Sequence, residues 1–307
     1  MSSMSGGIEV DICVIGAGSG GLSVAAGASQ LGASVALVER RLMGGDCLNF
    51  VCVPSKALLA AGKSAHNIAG AARFGITSAA PGIDQKAVRQ HVRDVIAAIA
   101  PHDSIERFRA LGVNVILGAA RFTGPREIQV DGQTIRARRF VVATGSSPVV
   151  PAIPGLDGVP YLTNETLFEY DQPMAHLIVI GGGPIGVEMS QAHRRLGVAV
   201  TLIEKTRLLP KDDPELTQVV HDRLVSEGVE VMTGIGVEGV AAEGSGAAVQ
   251  LDNGASVSGS HLLVATGRKA NVEGLNLEAA GIDYGRRGIA VDARLRSSNK
   301  KIFAIGD

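Results

Sequence analysis

Apolar residues come in short continuous blocks along this chain, and glycines punctuate them. Val10 to Ile15, apolar except at Asp11, runs straight into glycine, which predicts a strand buried on both faces of a parallel sheet. Gly16-Ala17-Gly18-Ser19-Gly20-Gly21 follows, then small residues at helical spacing to about Leu31, then a second strand over Ser34 to Val38. The same order returns downstream: Leu177 to Ile180 as strand, Gly181-Gly182-Gly183-Pro184-Ile185-Gly186 as turn, a helix to about Leu196, and Ala199 to Ile203 as strand. The chain thus contains an internal repeat, offset by the 165 residues from Gly16 to Gly181. Each copy also has a strand ending in Ala-Thr-Gly, Phe140 to Gly145 in the first and His261 to Gly267 in the second.

Between the copies, Pro148, Pro151, Pro154, Gly155, Gly158 and Pro160 crowd together and predict an inter-domain connection near residue 150. The spacing over Gln85 to Leu111 predicts a helix that Pro101 breaks in two, with a packing role and no assigned chemistry.

A length of 307 residues agrees with about two domains. Glycine, at 40 residues, is abundant enough to point to tight turns and to backbone that approaches ligands closely. Aromatics are scarce, and 29 basic against 30 acidic residues leave a net charge of -1, so neither base stacking nor a basic field recommends nucleic acid as a partner. Residues 1–7 are small and polar and read as a disordered leader rather than a secretory signal. No stretch approaches the length of a membrane span, and three cysteines are too few for a disulfide scaffold. The expected location is cytoplasmic, without membrane attachment.

A dinucleotide pyrophosphate needs donors, and a helix N-terminus offers free N–H groups with about half a positive charge. In Gly16-x-Gly18-x-x-Gly21 the first glycine permits the turn, the second clears space for phosphate, and the third lets helix and sheet approach. Glu39, 23 residues after Gly16, is the carboxylate expected on the ribose hydroxyls; Gly181, Gly183, Gly186 and Glu204 repeat the set at the same spacing. The competing reading is a pair of ordinary α/β turns with both acids on the surface. Glu204 opposes the 2′-phosphate of NADP and favours NAD, with Lys205 and Arg207 as the residues able to reverse that preference.

Gly44-Gly45-Asp46-Cys47-Leu48-Asn49-Phe50-Val51-Cys52-Val53-Pro54-Ser55-Lys56 precedes an alanine-rich helical run. Two cysteines near a helix N-terminus favour the thiolate, the reactive species. A metal site and two inert core thiols are the alternatives; His66 is the nearest histidine, with no third cysteine in reach. Cys13, inside the first strand, reads as core.

These motifs closely resemble the flavoprotein disulfide reductases, the family that includes dihydrolipoamide dehydrogenase, glutathione reductase and mercuric reductase. The likeness covers nearly the whole chain and rests on Gly44 to Lys56, the two dinucleotide turns, the two Ala-Thr-Gly strands and the final Gly306-Asp307. It implies an α/β fold of two Rossmann-like three-layer domains, the second inserted in the first. Residues 8–149 and 268–307 would bind FAD, and 150–267 the nicotinamide nucleotide. The resemblance further implies a redox-active Cys47/Cys52 disulfide, with Cys52 over the flavin and Cys47 exchanging with substrate, and a Lys56/Glu188 ion pair beside the flavin. The implied FAD contacts are Gly16, Gly18, Gly21, Glu39, Arg40, Gly45, Asp46, Lys56, Gly118, Thr144, Gly145, Ser146 and Asp307. The implied NAD contacts are Gly181, Gly183, Pro184, Ile185, Gly186, Glu188, Glu204 and Gly267.

Leu48, Pro54 to Leu58 and Glu204 lean toward the dihydrolipoamide dehydrogenase branch, with mercuric or glutathione reductase, or a nucleotide-binding fragment without disulfide turnover, as the other readings. The substrate class is a small disulfide or dithiol, or Hg(II). Asp46 and Val51 depart from the frequent threonine and glycine; Asp46 is expected to raise the Cys47 pKa by repulsion. The family continues into an interface domain that makes the homodimer and carries a His/Glu pair. A chain ending at Asp307 is therefore expected to be a fragment without it, monomeric and weak in holding FAD.

Overall fold

The computed structural model describes residues 7–306; residues 1–6 of the expected leader, and Asp307, lie outside the described residues. The chain begins with β1 (Ile8–Ile15), α1 (Ser19–Gln30), β2 (Val35–Glu39), α2 (Gly45–Asn49), α3 (Cys52–Ala69) and α4 (Gln85–Ile99). A 3-10 turn over Ala100–Asp103 holds Pro101, and α5 (Ile105–Ala110) follows, so the proline divides the helical segment as its missing N–H requires. Next come β3 (Asn114–Leu117), β4 (Ala120–Gly124), β5 (Glu127–Val130), β6 (Gln133–Val142) and β7 (Ser146–Pro148). The repeat then supplies β8 (His176–Ile180), α6 (Pro184–Arg195), β9 (Ala199–Glu204), α7 (Pro214–Ser226) and β10 (Glu230–Thr233). After these run β11 (Val237–Glu243), β12 (Gly246–Leu251), β13 (Ser256–Gly259) and β14 (His261–Val264). The final stretch holds β15 (Arg268–Ala270), β16 (Tyr284–Gly285), β17 (Gly288–Ile289) and β18 (Ile302–Ala304).

The chain separates into two compact units. The first comprises residues 1–49, 97–147 and 268–307; the second, residues 50–96 and 148–267.

In the first unit the sheet order is β3-β2-β1-β6-β5-β4, with β18 also paired to β6. β1, β2, β3, β6 and β18 are mutually parallel where they pair, and β4 and β5 join as an antiparallel edge. The C-terminal segment thus returns to the first sheet, Ile302 lying opposite Phe140. Side chains alternate between two cores, as strand geometry demands. Cys13, Ile15, Ala36 and Val38 enter one with Phe122 and Ile128, while Val14, Val35 and Leu37 enter the other with Leu22 of α1 and Phe108 of α5. Coverage on both faces is why these strands read as continuous apolar blocks.

The second unit has a parallel sheet in the order β10-β9-β8-β14 and an antiparallel sheet β11-β12-β13. Leu177, Val179, Val200 and Leu202 face a core built with α3, α4, α6 and α7; Ile178, Ile180 and Ile203 face the other, shared with Val240, Val249 and Val257 of the antiparallel strands. Residues 50–96, grouped by sequence with the first fold, make their contacts with this unit. The reason is local: a Cβ at Gly62 of α3 would sit 3.2 Å from the Ala192 carbonyl oxygen of α6, so the two helices pack at close range. Among the described residues no helix is long and apolar enough to cross a membrane.

Candidate functional site

Each parallel sheet ends in the same hydrogen-bonded turn. Gly16 N–H donates to the Val38 carbonyl at 2.8 Å and Ala143 N–H to the Ile15 carbonyl at 2.7 Å; in the repeat, Gly181 donates to Ile203 at 2.9 Å and Ala265 to Ile180 at 2.8 Å. These bonds pin the first glycine against the Ala-Thr-Gly segment. A Cβ at Gly16 would lie 2.3 Å from the Ala143 oxygen, and one at Gly181 would lie 2.4 Å from that of Ala265. Both glycines also have positive φ, +105° and +112°. The Ala-Thr-Gly segments lie just past the strands, which end at Val142 and Val264.

The third glycine of each turn is equally constrained, since a Cβ at Gly21 or Gly186 would meet the oxygen of Gly16 or Gly181 at 1.9 Å. The second glycine is different. Nothing lies within 4 Å of a Cβ at Gly183, and only the Gly45 Cα, at 3.9 Å, approaches one at Gly18. The protein's own packing has no need of glycine there. The space in front of it suits a group from outside the chain, and the residue types suit a pyrophosphate.

Gly18 and Gly183 are also the N-caps of α1 and α6, extended at ψ of -178° and -179°, and neither helix has a side-chain cap or an acid in its first turn. By contrast, Ser104 caps α5 and Asp213 caps α7 through their side chains. Both α1 and α6 therefore have opening-turn N–H groups that no capping side chain takes, the condition for binding an anion. Pro184 and Ile185 occupy the opening turn of α6, and Pro184 gives up no needed donor at that position.

Both acids reach back to their turns. Glu39 Oε2 accepts from Ala17 N–H at 2.7 Å and its Oε1 from Arg41 N–H at 2.7 Å; Glu204 Oε2 accepts from Gly182 N–H at 2.7 Å and its Oε1 from Thr206 N–H at 2.9 Å. Five residues past each acid the chain returns: Gly44 N–H donates to the Ala17 carbonyl at 2.9 Å, and Leu209 N–H to the Gly182 carbonyl at 2.8 Å. The duplication therefore extends to bonds that the glycine spacing alone does not reveal.

In the first unit a cleft gathers Gly16, Glu39, Arg40, Gly118 and Thr144 with Asn271, Glu273 and Leu275. Gly118 donates to the Glu39 carbonyl at 2.8 Å with φ +150°, and a Cβ there would meet Val130 Cγ1 at 2.5 Å. Asn271 was not singled out from sequence. Its N–H bonds the Gly145 carbonyl at 2.9 Å, and its carbonyl accepts from Thr144 Oγ1 at 2.7 Å. The position follows Gly267-Arg268-Lys269-Ala270, so the second Ala-Thr-Gly was the landmark that pointed toward it. Gly267 itself is exposed at φ +142°.

Cys47 lies within the short α2 and is half-buried; Gly44 and Gly45, both at positive φ, precede it. A Cβ at Gly45 would strike the Gly18 Cα at 2.6 Å, so this glycine lets the cysteine segment close over the first turn. Asp46 forms an ion pair with Arg268, whose Nε donates to Ser146 Oγ at 2.8 Å and whose Nη2 donates to the Ser146 carbonyl at 2.7 Å. The negative charge beside Cys47 is thereby matched with a guanidinium, a partner the sequence reading of Asp46 did not include.

Cys52 is exposed and is the first residue of α3, whose N-cap, Val51, supplies no side-chain bond. Lys56 follows at i+4, on the same face of the helix. Its ammonium bonds both oxygens of Glu188 on α6, at 2.8 and 3.0 Å, across 132 residues of sequence. His66, the histidine considered for a metal, accepts from Arg223 Nη2 at 2.8 Å. Among the described residues no group of three or more His, Cys, Asp and Glu side chains gathers as metal ligands would. Cys13 is fully buried, and burial pushes its thiol up to about 12.

A family model described as pyridine nucleotide-disulphide oxidoreductase matches residues 10–307. The mercuric reductase of Streptomyces lividans is 38% identical over 97% of this chain and 65% of its own length; that of Bacillus cereus is 36% identical over 98% and 49%. The dihydrolipoyl dehydrogenase of Thermus scotoductus is 39% identical over 97% of this chain and 66% of its own. Among solved structures, the Cu(II) complex of the HOCl-induced flavoprotein disulfide reductase RclA from Escherichia coli matches with a TM-score of 0.86 and 26% identity, over 97% of this chain and 66% of that one. The chain spans about half to two thirds of the length of the curated relatives it matches.

Proposed function

Since the chain belongs to the pyridine nucleotide-disulphide oxidoreductase family, which uses FAD and a nicotinamide nucleotide, we propose that it exchanges two electrons between NADH and a small disulfide through the Cys47/Cys52 pair. One observation carries this reading. The chain repeats a turn whose first and third glycines are demanded by its own backbone while the second is left open, and the first copy leads directly into the two cysteines.

In this proposal residues 8–149 and 268–307 hold FAD, with Gly18 and the α1 N-terminus on the pyrophosphate and Glu39 on the ribose. The cleft residues Arg40, Gly118, Thr144 and Asn271 lie around that nucleotide, and Gly45, Asp46, Gly145, Ser146 and Asp307 along the rest of it. Residues 150–267 hold the nicotinamide nucleotide, with Gly183, Pro184, Ile185 and Gly186 at the α6 N-terminus, Glu204 on the ribose and Gly267 beyond. FAD, when bound, supplies the two-electron relay between hydride donor and thiols.

The chain's own residues do the rest. Cys52 opens α3, and Lys56 lies one turn on along the same face. Glu188 holds the Lys56 ammonium in place. The Cys47 thiolate attacks one sulfur of the substrate disulfide; the other sulfur departs as a thiolate and takes a proton from solvent. The Cys52 thiolate then attacks Cys47 sulfur, forming the Cys47–Cys52 disulfide and releasing the second thiol. Oxidation of a dithiol runs the same steps backward.

NAD is favoured over NADP because Glu204 would face a 2′-phosphate and because Arg207 is spent elsewhere, on Thr217 Oγ1 and the carbonyls of Pro210 and Asp212 at 3.1, 2.9 and 2.8 Å. Lipoamide is the preferred substrate class. Hg(II) is the second reading, favoured by the mercuric reductases among the similar proteins, and assays with lipoamide, glutathione disulfide and Hg(II) separate them.

The test is an anaerobic NADH titration of the FAD-loaded chain. A long-wavelength band from a thiolate beside the flavin is expected on reduction, and Cys47→Ser, which prevents the disulfide, is expected to show it before any NADH is added. Absence of the band in both proteins would remove Cys52 from the electron route.

A further inference from the structure

Asp46 and Cys47 are consecutive residues of α2, and 222 residues of sequence separate Asp46 from the arginine it meets. Arg268 is gripped from two sides. Its Nε donates to Ser146 Oγ at 2.8 Å and its Nη2 to the Ser146 carbonyl at 2.7 Å, while Nη2 also bonds Asp46 Oδ2. Ser146 is itself buried, so its two bonds fix the guanidinium on β7 whatever the state of Asp46. Asp46, Cys47, Ser146 and Arg268 all belong to the first unit.

Covalent geometry alone keeps the Asp46 carboxylate within about 10 Å of the Cys47 sulfur, because consecutive Cα atoms are about 3.8 Å apart. That distance is comparable with the screening length of about 8 Å at physiological salt. The Arg268 and Asp46 side chains are 19% and 33% exposed, so salt screens them less than it screens a surface pair. A lone carboxylate in this place would oppose both the Cys47 thiolate and the approach of an anionic disulfide. A guanidinium bonded to that carboxylate cancels most of its field at the sulfur.

We propose that Arg268 is a positioning residue of the Cys47 site: it holds Asp46 and cancels its charge, so that Cys47 attacks anionic and uncharged small disulfides alike. The inference deepens the proposed exchange and rests on Cys47 being the sulfur that attacks substrate. Asp46 without its partner would turn the site toward cationic disulfides. The charges carry this role, and the hydrogen bond between them only sets their place.

The test is alkylation of Cys47 in the intact chain, in a Cys52→Ser background where the two cysteines cannot pair, with the product located by peptide mass. Iodoacetate carries a negative charge and iodoacetamide none. Both react with the thiolate, so at a single pH the ratio of their rates cancels the thiolate fraction and reads the local field. Asp46→Asn is expected to raise the iodoacetate to iodoacetamide ratio about threefold, Arg268→Gln to lower it about threefold, and the double variant to return within about 1.5-fold of the background. Arg268→Lys, which keeps the charge without the fork, should stay within about twofold of the background.

Should Arg268→Gln fail to fold, Asp46→Asn decides alone. The amide oxygen of asparagine still accepts from the guanidinium, so a tether without an electrostatic role predicts an unchanged ratio. Shifts of the same sign in both single variants, an unchanged ratio in either, an Arg268→Lys ratio as low as that of Arg268→Gln, or a Cys47 that neither reagent labels would each overturn the proposal. Neither NADH nor disulfide turnover enters the readout. The expected ratios without the thiolate-to-flavin band would end the electron route and keep the charge matching, and the band without the ratios would do the reverse.

Discussion

The two glycine turns share their bonding almost atom for atom, yet they leave their acids in different states. Glu39 is 9% exposed and accepts one bond on each oxygen. Glu204 is only half-buried, and its Oε1 accepts from both the N–H and the hydroxyl of Thr206, at 2.9 and 2.8 Å. A carboxylate has about four acceptor positions, so Glu39 has more capacity left for a ribose and a drier setting in which to use it. The second residue of the turn differs as well. Ala17 is fully buried, whereas a Cβ at Gly182 would crowd Glu204 Cβ at 2.9 Å and Leu208 at 2.6 Å. One hydrogen-bonding plan thus recurs in both units, with its acid buried in the first and half-buried in the second, a difference that the proposed resident FAD and exchanging NADH would use.

The strongest way to break this comparison is to add a methyl group. Gly21→Ala and Gly186→Ala drive a Cβ into a backbone oxygen and are expected to destabilise their units by about 3 kcal/mol, read from urea unfolding. Gly18→Ala and Gly183→Ala should stay within about 1 kcal/mol of the parent protein yet lose roughly tenfold or more in FAD and NADH affinity, respectively. Equal stability losses at all four positions would show that the second glycine is structural after all.

A smaller effect separates the acids. Glu204→Ala is expected to weaken NADH about tenfold while leaving NADPH unchanged or improved, and Arg207→Met should alter both by less than about twofold because its guanidinium already serves protein acceptors. Isothermal titration checks each, and a selective loss of NADPH in Arg207→Met would contradict the bonding described.

The units should also differ in acid. His193 and His261, both in the second unit, have pKa values lowered by burial first, then by neighbouring positive charge, so the unfolded chain binds protons that the folded one refuses. Their contribution is complete above about pH 6.5 and is lost as pH falls below it. Hydrogen-exchange protection factors, which are corrected for the intrinsic rate at each pH, are expected to fall in β8 and β9 between pH 7.5 and 5.5 more than in β1 and β6, and His193→Gln should flatten that slope.

The smallest effect sharpens the equivalence of Gly44 and Leu209, which sit at the same place after each acid with φ of +83° and +48°. Leu209→Gly should change stability by less than about 1 kcal/mol, since relief of the left-handed backbone offsets lost burial. Gly44→Ala should cost about 2 kcal/mol, because its Cβ would lie 2.4 Å from Leu48 Cδ2. Thermal unfolding distinguishes them.

The sequence by itself determined the repeat, the strand-turn-helix-strand order within each copy, the two turns with their acids, the break at Pro101 and the burial of Cys13. Those features are local: an apolar block, a glycine spacing or a proline acts through neighbours within a few residues. Tertiary structure decided that Lys56 would meet Glu188 and Asp46 would meet Arg268. It also decided that Asn271 would close on Thr144 and that α3 would pack on α6. These partners are up to 222 residues apart, and no periodicity encodes which one a side chain finds. That choice is made by packing, when helices approach where Gly62 allows and each buried or half-buried charge takes the partner left within reach.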